Sequence, residues 1–120
     1  MNQIDIPGMP DMFAALGDPT RFAIVEKLLA EGEQKVGDLQ APFAMSAPAF
    51  SRHIKVLETA GLIERRAEKN WRYCSLRQDR FQQLDTWLER YRKLWNARFD
   101  RLDQMLRDQA EKKERTEKDG

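Results

Sequence analysis

At 120 residues the chain is long enough for one domain with a single modest core. It contains neither an apolar run near the roughly 20 residues that span a bilayer nor a secretion signal, and its one cysteine excludes an internal disulfide framework. We therefore expect a soluble cytoplasmic protein with no membrane partner. The net charge is +1, but residues 46–80 hold eight cations against four anions, whereas residues 1–45 hold three against seven and residues 81–120 hold ten against nine. The basic excess thus lies in the middle of the chain.

The first predicted helix with clear signals runs from Asp18 to about Ala30. Asp18 followed by Pro19 is typical of a helix start, because the acid can cap the first turn and proline suits it. Its broad apolar face comprises Phe22, Ile24, Val25, Leu28 and Leu29. We interpret Arg21 as a member of an intramolecular ion pair. A shorter helix is predicted over Val36–Ala41.

The segment Met45–Ile63 predicts a helix suited to a DNA groove. Ser46 can cap its first turn and Gly61 can end it. Apolar residues recur at i, i+4 and i+7 and should face a core: Phe50, Ile54 and Leu57. The opposite face is basic and polar, and such side chains reach phosphates and base edges in a major groove. The candidate DNA-binding residues here are Ser46, Ala47, Pro48, Ser51, Arg52 and Lys55; an ordinary surface helix with solvated cations is the alternative.

A β-hairpin is predicted directly after this helix. Leu62–Arg66 and Trp71–Leu76 have the pattern of strands, and residues 68–70 that of the turn, in which Asn70 tolerates a positive φ better than most residues. The hairpin carries the remaining candidate DNA-binding residues: Arg65, Arg66, Lys69, Asn70 and Arg72. Two helices followed by a basic hairpin are typical of a winged helix-turn-helix.

Five short motifs occur in a fixed order between about Phe13 and Leu106. They are LGDPTR at Leu16–Arg21, VGDL at Val36–Leu39, SRHIKVL at Ser51–Leu57, AGLI at Ala60–Ile63 and WRY at Trp71–Tyr73. With these motifs the chain resembles the ArsR/SmtB family of small bacterial transcriptional repressors. The resemblance implies a mainly α fold with a small β-hairpin, a winged helix-turn-helix that forms a homodimer through its terminal helices. It also implies binding to a double-stranded DNA operator that an inducer abolishes.

Many members of that family sense metals, but the ligands familiar there do not occur in this chain. Lys35 and Gly37 stand at the positions of a cysteine pair, and the terminal helix has no histidine. Its acids, among them Asp85, Glu89, Asp100 and Asp103, alternate with arginines and have the pattern of a solvated face. A soft or borderline metal needs several nitrogen or sulfur ligands, so we expect no metal and no cofactor. We expect an organic, redox or protein effector instead.

A long amphipathic helix is predicted from Arg80 to Gln109, with apolar residues every three or four positions. At 1.5 Å per residue it would extend roughly 45 Å, longer than a small winged domain is wide. Part of its stripe must then pack on something else, and a second copy is the economical partner. The predicted dimer interface comprises Met12, Phe13, Leu88, Tyr91, Trp95, Phe99 and Leu102. The alternative is a helix that folds back along its own core.

Dimerisation would supply a second copy of the helix predicted to enter the DNA groove. We therefore expect a palindromic operator with half-sites about one turn of DNA apart. The winged domain is predicted to span residues 9–109. Residues 110–120 have no apolar period and are predicted to form a charged disordered tail. Whether Met9–Leu16 forms a separate helix that crosses to the partner stays open, although its apolar residues would allow one.

No pattern in the chain indicates an enzyme. Ser51 and His53, two apart on a helix, point in different directions, and no glycine-rich phosphate loop occurs. We interpret His53 as a packing or hydrogen-bonding residue, and Cys74 has no second cysteine to resolve a sulfenic acid. The competing function is a protein-interaction module that uses the long aromatic helix. The cations clustered on the hairpin favour DNA binding instead.

Overall fold

A computed structural model of the chain describes residues 8–119, and side chains through Glu117. Its elements, in chain order, are α1 (Met9–Leu16), α2 (Pro19–Glu31), β1 (Gln34–Lys35), α3 (Val36–Gln40), α4 (Ala47–Thr59), β2 (Ile63–Glu68), β3 (Trp71–Leu76) and α5 (Gln78–Asp119). The fold is therefore mainly helical with one small sheet, as predicted. Residues 9–16 do form a separate helix, α1. None of the helices in this range combines the length and hydropathy that crossing a membrane requires.

Local capping explains where α2 and α4 begin. The Asp18 carboxylate accepts a hydrogen bond from the backbone N–H of Arg21 at 3.0 Å, and the Ser46 hydroxyl accepts one from Ala49 at 3.3 Å. Gly61, which has a φ of +83°, follows the last turn of α4. Both predicted helix starts are confirmed, and α4 lies within its predicted bounds.

The core lies where α1, α2, α4 and the sheet meet. The largest fully buried side chains are Met12, Ile24, Leu39, Phe50, Ile54, Leu57, Leu62, Ile63 and Cys74. The predicted core face of α4 is thus confirmed. The predicted apolar face of α2 is too broad, since Phe22 is half exposed and Leu29 is 67% exposed. Only the stripe with Ile24, Val25 and Leu28 reaches the core, because one helix face about 100° wide can do so.

The sheet has three antiparallel strands in the order β1-β3-β2. Strand β1 was not predicted from the sequence; its two residues pair with Cys74 and Tyr73 of β3. In the hairpin, Glu68 pairs with Trp71, so the turn consists of Lys69 and Asn70. Lys69 takes the positive φ, +55°, and the interpretation that placed it at Asn70 is wrong. The turns that fit two-residue hairpins require a positive φ at the first turn position, which the register assigns to Lys69.

The residues up to Leu84 form one compact unit, and those from Asp85 onward form a second. Helix α5 contributes to both and ends at Asp119, ten residues beyond its predicted end. The predicted disordered tail is therefore helical through Asp119. These residues are mostly Ala, Glu, Lys and Arg, which favour helices, and no glycine or proline interrupts them before Gly120. The range 9–109 as a single functional domain stays a prediction.

Candidate nucleic-acid interface

The outer face of α4 is exposed and carries an unpaired cation. Ser51, Arg52 and Lys55 lie opposite the buried face of this helix and are exposed. The Arg52 guanidinium has no hydrogen bond or ion pair with any side chain described between residues 8 and 117, or with the described backbone. The Lys55 ammonium lies 3.9 Å from a Glu58 carboxylate oxygen, and its side chain is 70% exposed. Both cations are therefore free to bind a phosphate or a base edge.

The first turn of α4 presents the other three predicted residues of this helix. Ser46, Ala47 and Pro48 are exposed. The Ser46 oxygen accepts the capping hydrogen bond, so its hydroxyl proton is left for another acceptor. The amino end of a helix also favours an anion, because its first N–H groups point outward along the helix dipole. This end of α4 is thus chemically compatible with a DNA phosphate.

The hairpin of β2 and β3 is the wing of this fold. Ion pairs within the chain engage two of the wing cations that were predicted to bind DNA. Arg65 donates to both carboxylate oxygens of Glu58, at 3.1 and 2.8 Å. Arg66 donates to both oxygens of Glu33, at 3.1 and 2.8 Å, and to Glu68 at 2.8 Å. These hydrogen bonds raise the pKa of both guanidinium groups and lower the pKa of Glu33 and Glu58. Arg65 and Arg66 are therefore partly neutralised by their own chain.

The cations at the tip of the wing differ from Arg65 and Arg66, because no carboxylate of the described residues pairs with them. Lys69, Asn70 and Arg72 are exposed, and neither cation has an ion pair within the described part of the chain. Lys35, which stands at the position of a family metal ligand, places its ammonium 3.9 Å from the centre of the Trp71 ring. This cation–π contact joins β1 to the base of the hairpin tip. The exposed, unpaired cations of the wing are thus those at its tip.

His53 lies at a junction between α1, α2 and α4. The Arg21 Nε donates to the Ala15 carbonyl at 2.8 Å, and its Nη1 lies 3.4 Å from His53 Nδ1. His53 Nδ1 is also 3.8 Å from the Asp18 carboxylate. Arg21 therefore interacts within its own chain, but its side chain bonds to a carbonyl and a histidine ring, and the predicted ion pair is not among the salt bridges of the described residues. The hydrogen-bonding role predicted for His53 is confirmed.

Cys74 is poorly suited to redox sensing. Cys74 is fully buried on β3, and burial raises the pKa of its thiol to about 11. A buried, protonated thiol reacts slowly, because the thiolate is the reactive form. Among the described residues, no three histidine, cysteine or acidic side chains come together as a metal site would require.

The predicted dimer residues fall into two groups. Met12 is fully buried in the core of its own chain, so its place in an interface is wrong: α1 turns this residue toward α2 and α4. The other six residues are exposed: Phe13, Leu88, Tyr91, Trp95, Phe99 and Leu102. Along α5 the aromatic rings form a ladder, with 5.8 Å between the ring centres of Tyr91 and Trp95 and 5.5 Å between those of Trp95 and Phe99.

Comparison with known proteins agrees with this geometry. Residues 16–66 match the HTH_20 family, a helix-turn-helix domain. The uncharacterized HTH-type transcriptional regulator MJ1325 of Methanocaldococcus jannaschii is 30% identical over 74 residues, which are 62% of this chain and 83% of the relative. The HTH-type transcriptional regulator Rv2034 of Mycobacterium tuberculosis is 53% identical over 49 residues, which are 41% of this chain and 45% of the relative.

A solved structure extends the likeness to the whole winged unit. The crystal structure of an ArsR family transcriptional regulator, RHA00566, is 34% identical and superposes with a TM-score of 0.67, covering 74% of this chain and 97% of that one. The family motifs, the capped α4, the basic hairpin and this superposition agree with one another. The chain belongs to the ArsR/SmtB family of winged helix-turn-helix, DNA-binding transcriptional regulators.

Proposed function

We propose that the chain is a homodimeric repressor that binds a palindromic operator and is released by a signal other than a metal. The observation that carries this proposal is the unpaired Arg52 on the outer face of α4, together with the unpaired Lys69 and Arg72 at the tip of the wing. Cations without carboxylate partners can bind DNA phosphates and release their counterions without first breaking an ion pair. Repression is the mode of action that the family resemblance implies. We also propose that the protein acts in the cytoplasm and that it has no catalytic activity.

The exposed apolar residues of α5 support dimerisation. Leu88, Tyr91, Trp95, Phe99 and Leu102 are all exposed, and Phe99 is 58% exposed. Neighbouring apolar and aromatic side chains exposed on this scale mark an interaction surface. A second copy would cover them and would add a second α4, which makes a two-fold related operator the matching DNA site.

The test is binding to the DNA upstream of the protein's own gene. Fluorescence anisotropy would compare this duplex with a scrambled one at a fixed physiological salt concentration, because salt sets the non-specific affinity. Footprinting would follow in the presence of a chelator. We expect tight, two-fold symmetric protection that survives the chelator.

Two results would contradict the proposal. Equal, weak binding to both duplexes would leave only electrostatic attraction, and the protein-interaction function of α5 would then lead. Protection that disappears with the chelator would overturn the metal-independent part of the proposal.

A further inference from the structure

We propose that a groove between α1 and α4 binds a small organic carboxylate with an aromatic or medium-chain apolar body, and that this ligand weakens DNA binding by engaging Lys55. The proposal rests on the proposed function, because it identifies the class of effector that would release the protein from DNA. The groove has a volume of about 430 Å³, which lies within the range usual for small-molecule sites.

The groove offers an apolar surface for the body of such a ligand. Ala14 and Ala15 of α1 line one wall, and Val56 and Ala60, from α4 and its end, line the other. Val56 is 41% exposed, although it is an aliphatic residue on a helix whose other large apolar side chains are buried. Covering Val56 and the alanines with an apolar group would remove hydrophobic surface from water.

The charged groups of the groove favour an anion. Two cations, Arg21 and Lys55, line it against one carboxylate, Asp11. Arg21 is held in place by its bonds to the Ala15 carbonyl and to His53, so it provides a fixed positive charge, which the nearby Asp18 carboxylate partly offsets. Lys55 is held loosely, since Glu58, its only ion-pair partner among the described residues, already accepts two hydrogen bonds from Arg65. A carboxylate can therefore attract Lys55 without breaking a strong ion pair.

The position of Lys55 connects the groove to DNA binding. Lys55 lies on the exposed face of α4 that carries Arg52, and it also lines the groove. A bound carboxylate would turn the ammonium toward α1 and place a negative charge beside the DNA phosphates. Ligand and DNA would then weaken each other's binding by the same factor.

The experiment measures ligand binding and operator binding separately. Benzoate and octanoate are titrated into the full-length protein by calorimetry, with the neutral benzamide and octanamide as controls. Operator affinity is then measured by anisotropy with and without each compound. We expect at least one carboxylate to bind and to raise the operator Kd by about five-fold or more, and the matching amide to do neither.

The variant Ala14→Trp tests the location, because it fills the groove from α1 at an exposed position. We expect it to bind operator with wild-type affinity and to lose carboxylate binding. Ala30→Trp, at an exposed alanine of α2 outside the groove, is the matched control and should retain both. If Ala14→Trp does not fold, Thr59→Phe fills the same groove from α4.

Three outcomes would overturn the assignment: no binding of either carboxylate, equal binding of acid and amide, or carboxylate binding that survives a filled groove. Failure of the proposed function has a different signature. In that case the wild-type protein would not discriminate operator from scrambled DNA, while calorimetry would still detect carboxylate binding that Ala14→Trp abolishes.

Discussion

Ion pairing divides the cations of the basic segment into two groups. Arg65 and Arg66 each donate two hydrogen bonds to one carboxylate of their own chain, whereas Arg52, Lys69 and Arg72 have no such partner among the described residues. A paired guanidinium must exchange its carboxylate for a phosphate, so its net gain on DNA binding is small. The unpaired cations should therefore contribute most of the binding free energy.

Arg52→Ala tests the groove face of α4. We expect a loss of about 1 to 3 kcal/mol on the operator and weaker discrimination between sequences, because an arginine on this face can bind a guanine edge with two hydrogen bonds. The control is Arg77→Ala, which removes an equal charge from an arginine paired with Asp79. Equal losses on operator and scrambled DNA would contradict base recognition by Arg52.

Lys69→Asn tests the wing tip and keeps a residue that tolerates the positive φ. We expect every duplex to bind more weakly by a similar factor, and the slope of log K against log salt to become flatter by about one, since one phosphate contact is lost. Anisotropy at several salt concentrations gives this slope. An unchanged slope would remove Lys69 from the DNA interface.

Glu33→Gln tests whether the ion pair restrains Arg66. The carboxylate of Glu33, whose pKa is lowered by the hydrogen bonds from Arg66, accepts from two of its nitrogens. Its removal leaves Glu68 as the one carboxylate partner of this guanidinium among the described residues. Arg66 should then be more available to phosphate, so we expect tighter binding to all duplexes and a salt slope steeper by up to about one. Glu26→Gln on the exposed side of α2 makes the same charge change as a control. If both variants behave alike, the effect is one of net charge, and the restraint is absent.

At the scale of elements, the start of α2 depends on a carboxylate. The pKa of Asp18 is lowered chiefly by the hydrogen bond from the Arg21 amide, and by the nearby charge of that residue. A carboxyl whose pKa is lower in the folded state stabilises the protein above its unfolded pKa of about 3.9, and the contribution is lost as the pH falls through the folded pKa.

Asp18→Asn removes this titration and keeps a good capping residue. We expect urea unfolding to show a steeper loss of stability on acidification below about pH 5 for the wild-type protein than for the variant. Asp38→Asn, an exposed acid in the first turn of α3, is the control and should follow the wild-type curve. Parallel curves for wild type and Asp18→Asn would show that the cap does not titrate in the folded state as described.

The elements differ in how far local sequence specifies them. Caps at Asp18 and Ser46 locate α2 and α4, because the signals lie within one turn of each helix start. Strand β1 has only two residues and exists through its pairing with β3, some 40 positions away, so its own residues carry no sufficient signal. The same reason applies to the turn between β2 and β3, because the strand register and not the residue preference places the positive φ at Lys69.

At the scale of the whole molecule, the aromatic ladder of α5 carries the proposed dimer. We expect Trp95→Glu combined with Phe99→Glu to give monomers in sedimentation and to weaken operator binding, because charges in an apolar interface cannot be desolvated cheaply. Asn96→Glu with Gln104→Glu, on the polar face of the same helix, is the control and should remain dimeric. If the double variant at Trp95 and Phe99 still sediments as a dimer, this interface is refuted.

Sequence alone determined the family, the helix starts, the amphipathic faces of α4 and α5 and the concentration of cations between residues 46 and 80. These properties depend on neighbours within a few positions or on the order of motifs, and both can be read directly from the sequence. Tertiary structure decided which cations are free, since Glu33 reaches Arg66 from 33 positions away. It also decided that Met12 belongs to the core and that α1 and α4 enclose a groove. Such contacts join residues distant in the chain, so only the folded arrangement of the helices and the sheet determines them.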